Sequence, residues 1–185
     1  MKFQKIILMA VCLPLVGCAW FHPKVKPIVP IKDTQFVATG RVVAPTLLEK
    51  GGRVAMIPFT AGSDVEATQE LDRISLMMVR GLADTLNNEP SKKIIFSPEE
   101  DETDFIITGH ITQLSQPSKF KEWIFRNHKI ILSIDGKMVD AHTKQTVLVF
   151  SDLKSAQYKK VKYEALGQII GQDIAKFILS VSTHP

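Results

Sequence analysis

The sequence contains few of the residue patterns that build catalytic or metal sites. Among its 185 residues are only two cysteines, and none of the five histidines stands at the spacing of an HExxH zinc motif. The glycines at positions 51, 52 and 62 fit neither a phosphate-binding loop nor a dinucleotide fingerprint, and no serine lies in the context of a hydrolase nucleophile elbow. We therefore expect a protein that is not an enzyme and that holds no metal ion and no cofactor.

The low net charge also limits the partners that the chain is expected to have. A formal net charge of +4 at pH 7 is too small to indicate nucleic-acid binding. His110 lies in an apolar stretch, where we expect a hydrogen-bonded structural imidazole. The acidic run at 99–104 lacks the turn glycine of a calcium loop and is expected to be a solvated surface loop.

The first residues have the layout of an export signal. A basic head with Lys2 and Lys5 precedes an apolar stretch at 6–16, which is too short to cross a membrane as a helix because that needs about 20 residues. The stretch ends in LVGC at 15–18, which resembles the bacterial lipobox. That resemblance implies a signal peptide at 1–17, removed together with Cys12, and a lipidated Cys18. The alternative is an ordinary secretory peptide in which Cys18 is a free or paired thiol.

A proline-rich segment separates this cysteine from the rest of the chain. Prolines recur every few residues in 18–33, which favours polyproline II and denies the backbone sheet hydrogen bonds. We predict a semi-rigid tether at 18–33 and one domain at 34–185. Trp20 and Phe21 could sit among lipid headgroups. The alternative is a disordered tether whose aromatic side chains play no part.

Hydrophobic patterning predicts the strands of the domain. A short apolar run at 53–59 indicates a buried strand, and 92–98, 105–114, 128–141 and 145–156 indicate four more. The last three are close enough in sequence to form an antiparallel meander. Residues 36–43 could add an edge strand, although Gly40 and weak alternation count against it.

Two long amphipathic helices are also predicted. The first has a capping-box pair, Ser63 and Glu66, at its start and ends at 87–90. The second covers 163–181, where Gly167 and Gly171 would let it lie close on the sheet. Their apolar faces comprise Leu71, Ile74, Met78, Leu82 and Leu86 in the first and Leu166, Ile170, Ile174, Phe177 and Val181 in the second. The predicted fold class is α/β (α+β), a single mixed sheet of about five strands with two long helices packed on it in the order β-α-β-β-β-β-α.

One connection between predicted strands has the composition of a contact surface. Residues 118–129 interleave aromatic and basic side chains, and Phe120, Trp123, Phe125 and Arg126 are the candidates for binding a partner. The same mixture suits an anionic lipid surface. Alternatively, the aromatic side chains cover the open end of the core while the charged ones are solvated.

Several segments together resemble one family. VAMIPF at 54–59 before a long helix, TDFIITGHITQL at 103–114, LSIDGKMVDAHTKQTVLVFS at 132–151 and the final helix resemble the periplasmic domains of outer-membrane lipoproteins with a CsgG-like or LpoB-like α/β fold. The resemblance implies a tethered accessory protein that acts through contacts with an envelope protein. Ala19 after the cysteine resembles lipoproteins sent to the outer membrane.

Two functions therefore follow as hypotheses. The first is a protein anchored through Cys18 to the periplasmic face of the outer membrane, which assists the assembly or activation of an envelope machine. The second is a carrier of a lipid or another amphiphile, which requires a sizeable apolar pocket between the helices and the sheet. The sequence leaves open whether the chain forms a homo-oligomer.

Overall fold

The observed fold is a mixed seven-stranded sheet with its helices on one face. The computed structural model describes residues 36–91, 93–115, 129–157 and 161–183. The strands are β1 (Thr39–Val42), β2 (Gly52–Met56), β3 (Thr60–Ala61), β4 (Ile94–Phe96), β5 (Phe105–Ser115), β6 (Lys129–Asp140) and β7 (Thr146–Gln157). The helices are α1 (Pro45–Glu49), α2 (Gln69–Asn87) and α3 (Tyr163–Thr183).

The order of the strands confirms the predicted single mixed sheet. Across the sheet they run β1-β7-β6-β5-β2-β4, with β3 also beside β5. β5, β6 and β7 form the expected antiparallel meander, while β2 lies parallel to both β4 and β5. Seven strands were found where about five were predicted. The possible edge strand at 36–43 is confirmed as β1, which has four residues and lies at the edge of the sheet. The unpredicted elements are β3, with two residues, and α1, with five, and both are too short for hydrophobic periodicity to be detected.

Side chains of the long strands alternate between two faces of the sheet. In β6, Ile130, Leu132 and Ile134 are fully buried, whereas Asp135 and Lys137 are exposed. Residues paired across β5, β6 and β7 stand on the same face as one another. The sheet therefore has a core face, covered by α2 and α3, and an opposite face, which we call the open face.

Helix α2 begins later than the capping-box pair predicted. Its N-cap is Thr68, whose Oγ1 accepts a hydrogen bond from the backbone N–H of Leu71 at 3.3 Å. The prediction from Ser63 was wrong because the backbone N–H of Gly62 donates to the carbonyl of Ile111 on β5, and a turn follows. The predicted end is confirmed, since α2 stops at Asn87.

Both predicted apolar helix faces are buried, and three glycines set how closely the two helices approach. Every residue predicted for these faces belongs to the hydrophobic core. A Cβ on Gly167 would lie 2.6 Å from the carbonyl oxygen of Ile74 in α2, and one on Gly171 would overlap the backbone of α2 as well. Gly81 of α2 faces the backbone of α3 in return. The glycines of α3 thus allow contact with α2, not with the sheet as predicted.

Candidate functional site

The residues that the sequence singled out as functional lie outside the described ranges. These are the lipidation candidate Cys18 and the partner-binding candidates Phe120, Trp123, Phe125 and Arg126. All five stay predictions. In the sequence, the four partner-binding candidates stand between the last residue of β5, Ser115, and the first residue of β6, Lys129, and these two strands pair directly with each other.

A row of polar side chains crosses the open face from one strand to the next. Register places Thr39 of β1 opposite Ser151 of β7, Ser151 opposite Asp135 of β6, Asp135 opposite His110 of β5, and His110 opposite Thr60 of β3. Because directly paired residues share a face, the row covers five neighbouring strands. Hydroxyl groups and one carboxylate therefore dominate this part of the open face.

The row is partly tied together by hydrogen bonds. Thr60 Oγ1 and His110 Nδ1 lie 2.8 Å apart, and the hydroxyls of Thr39 and Ser151 also contact each other. The expectation of a hydrogen-bonded imidazole at His110 is confirmed, although the ring lies on the exposed side of its strand. Within the described part of the chain, no ion pair joins His110 to Asp135.

A shallow concavity lies at the β1 side of this row. Its volume is about 360 Å³, and Thr39, Arg41, Asp135 and Ser151 contribute to its lining. A second hollow of about 200 Å³ is lined by Thr68 and Leu114 among others. Neither lies between the helices and the sheet, where the carrier hypothesis places its apolar pocket.

A cluster of charged residues holds the chain where it joins the domain. We call Asp152 and Lys154 of β7 and Asp173 of α3 the N-terminal clamp. The Lys154 ammonium lies 3.2 Å from Asp152 Oδ2 and 2.8 Å from Asp173 Oδ2, and it donates a hydrogen bond to the carbonyl of Phe36 at 3.2 Å. Asp152 Oδ1 accepts from the backbone N–H of Ala38 at 3.2 Å. The clamp thus joins β7, α3 and the residues leading into β1.

Burial and charge pairing shift the pKa values of Asp152 and Lys154 in the N-terminal clamp in opposite directions. Burial raises the pKa of Asp152 above its ordinary value, although the charge of Lys154 opposes this shift. Partial burial acts to lower the pKa of Lys154, but hydrogen bonding to Asp173 and the charge of Asp152 outweigh it, so that this pKa is raised. The pairing therefore favours the charged form of Lys154.

The sequence contains one signal for the N-terminal clamp, a carboxylate at a buried position of a strand. Asp152 occupies a core-facing position in the alternation of β7, two residues after Phe150, and its side chain is 2% exposed. A carboxylate on the buried side of a strand requires a partner. Lys154, two residues on, stands on the same face of β7 and is the partner that this alternation offers. The contacts of Lys154 with Asp173 and Phe36 were not predictable, since these residues meet only in the folded chain.

The acidic run at 99–104 forms a surface turn, as expected. A short 3₁₀ turn covers Glu100–Glu102, with no buried residue in it. Arg53 Nη1 contacts Glu102 Oε2 at 2.8 Å, but both side chains are more than half exposed, so the pair contributes little to stability. Among the described residues, no group of three potential metal ligands comes together.

The helices are also informative about membrane crossing. None of the helices in the described ranges is long and apolar enough to span a membrane.

Comparison with known proteins relates the chain to others through its fold. No protein-family profile matches it, and no curated protein matches it significantly. The solved structures similar to it include the PelC dodecamer from Paraburkholderia phytofirmans, with a TM-score of 0.50, 10% identity, and coverage of 74% of this chain and 96% of that chain. They also include a lipoprotein from Neisseria meningitidis, with a TM-score of 0.40, 10% identity, and coverage of 68% and 96%.

At this level of identity, the similarity to PelC shows a shared fold alone. The class of protein is therefore a mixed α/β domain with helices on one face of its sheet. The expected relationship to CsgG-like or LpoB-like domains is not confirmed by these comparisons.

Proposed function

We propose that the protein is a lipid-anchored, non-enzymatic accessory protein of the bacterial envelope. In this proposal, acyl chains on Cys18 hold it at the periplasmic face of the outer membrane. The domain then assists the assembly or activation of an envelope machine through protein contacts. The observation that carries the proposal is the lipobox-like LVGC at 15–18, followed by a proline-rich segment.

The described domain supports this proposal through the place where the chain joins it. Phe36 and Ala38 are held at the edge of the sheet by the N-terminal clamp. The helices of the described ranges pack on the core face, so they do not cover the open face. Each buried methylene of an acyl chain adds about 0.8 kcal/mol to membrane binding, so two or more chains give a durable anchor.

Contacts with a partner are proposed for two surfaces. One is the segment that contains Phe120, Trp123, Phe125 and Arg126, where aromatic and basic side chains alternate in the sequence. The other is the open face, where hydroxyl and charged side chains are available for hydrogen bonds. The proposal also includes a homo-oligomer, because PelC, which shares the fold, is described as a dodecamer.

Metabolic labelling with tritiated palmitate tests the anchor. The wild-type protein should incorporate label and fractionate with membranes, whereas Cys18→Ser should lose both properties. Cys12→Ser is the matched control, because Cys12 lies in the segment that cleavage removes. Its label should be unchanged. Equal labelling of Cys18→Ser and wild type, or membrane retention of an unlabelled Cys18→Ser protein, would contradict the proposed anchor.

A further inference from the structure

The residues that lead into β1 are held to the domain by side chains. The β1–β7 ladder begins with the pair Thr39 and Ser151. Before it, the backbone N–H of Ala38 donates to Asp152, and the carbonyl of Phe36 accepts from Lys154. The Asp152 carboxylate also accepts the N–H of Leu153 at 2.9 Å, so it satisfies two backbone donors where the ladder ends.

β1 is poorly placed to resist removal from the sheet. It is an edge strand of four residues, and its only partner strand is β7 among those described. An edge strand pulled from its end loses its hydrogen bonds one after another, and local opening of this kind occurs where buried contacts are few. The apolar anchors nearby are Val37 and Val42, both buried.

We propose that the N-terminal clamp is a latch that prevents the tether from peeling β1 away from β7. Lys154 directs its ammonium to Asp152, Asp173 and the Phe36 carbonyl, so the start of the domain is tied to β7 and to α3 together. Peeling β1 from this end requires the Lys154–Phe36 and Ala38–Asp152 hydrogen bonds to break, while Asp173 holds the Lys154 ammonium in place. The inference rests on the proposed function for the tether, but the latch itself is a property of the described domain.

Lys176 provides a matched comparison within the same region. It contacts Asp173 Oδ1 at 3.3 Å and lies 6.0 Å from the centroid of the Phe36 ring, yet its side chain is 45% exposed. Exposed pairs contribute little, and Lys176 makes no hydrogen bond to the residues leading into β1 in the described structure. Removal of its charge should therefore leave the latch intact.

Native-state proteolysis measures the opening of β1. The full-length protein is isolated from membranes in detergent and digested with trypsin under native conditions. Cleavage after Arg41 in β1 is quantified by mass spectrometry relative to cleavage after Arg80 in α2. Local opening increases only the first, whereas global unfolding increases both. Lys154→Met should raise the Arg41-to-Arg80 ratio by about tenfold, given the large effect of breaking a buried pair, and Lys176→Met by less than about twofold.

A milder variant keeps the inference testable if Lys154→Met does not fold. Asp173→Asn preserves the size of the side chain while removing the charge that faces Lys154, and it should raise the same ratio in the same direction. An unchanged ratio in the folded variants, or an equal rise at both cleavage sites, would overturn the latch. The assay is repeated with Cys18→Ser, purified from whole-cell detergent extract. Its palmitate uptake tests the anchor, whereas its Arg41-to-Arg80 ratio should equal that of wild type, so the two proposals fail separately.

Discussion

Gly171→Ala should push α2 and α3 apart and destabilise the fold. A Cβ at this position would lie 2.8 Å from the carbonyl carbon of Met78 and 3.0 Å from the backbone nitrogen of Leu82, with the Met78 oxygen closer still. Ordinary contact begins near 3.4 Å. Because all three neighbours are backbone atoms of α2, no side-chain rotation relieves the overlap, and the helices themselves must move.

The expected loss follows from two opposing effects. Overpacking a core costs about 1 to 3 kcal/mol, and contact with rigid backbone places this substitution near the upper end. Alanine is favoured over glycine in a helix interior by about 1 kcal/mol. The free energy of unfolding should therefore fall by about 2 kcal/mol, which corresponds to a decrease of roughly 4 to 8 °C in Tm for a domain of this size.

Circular dichroism during urea and thermal denaturation of residues 19–185 measures this change. Gln172→Ala is the matched control, because it introduces alanine at the next position of α3, where the side chain is only partly buried. Its effect should stay within about 0.5 kcal/mol. A Gly171→Ala protein as stable as wild type, or more stable, would refute the close contact between α2 and α3.

Three further predictions concern other parts of the domain. The pKa of Lys154 is raised above 10.5, so its charge stabilises the folded state below that pH, and this contribution is lost as the pH rises through the higher pKa of the folded state. In urea titrations, the destabilisation caused by Lys154→Met should therefore shrink between pH 8 and pH values above about 10.5. A difference that stays constant over this range would contradict the linkage. Thr68→Ala removes the N-cap of α2 and should lower the free energy of unfolding by about 1 kcal/mol, whereas Ser63→Ala should have no comparable effect if the helix starts where the structure places it. Lys144, in the turn between β6 and β7, has a φ of 60°, a backbone conformation that favours glycine. Lys144→Gly should therefore stabilise the protein by about 0.5 kcal/mol. A loss of stability in chemical denaturation would argue against this backbone conformation.

Most of the fold was predictable because its main elements are long and periodic. α2, α3 and the meander β5–β7 each contain enough alternating or helically spaced apolar residues to identify them. The start of α2 was not predictable in this way. Ser63 and Glu66 have capping-box spacing, but a hydrogen bond from Gly62 to Ile111 of β5 holds this segment out of the helix.

The candidate site was less predictable than the fold. The open face follows from alternation along β6, yet which side chains line up across it depends on register, which the sequence does not state. The N-terminal clamp depends on contacts between Phe36, Lys154 and Asp173, which lie far apart in the chain. Likewise, the close contact at Gly171 required knowing that α3 packs beside α2.

In-cell photocrosslinking tests the central claim, that the anchored domain acts through contacts with an envelope protein. A photoreactive residue replaces Trp123 in one strain and Lys137 on the open face in another, with Arg80 on α2 as the comparison position, and captured molecules are identified by mass spectrometry. The account predicts that one envelope protein is captured from Trp123 or Lys137 and is not captured in a Cys18→Ser background. Capture of lipid alone, or of nothing, from both positions would contradict it.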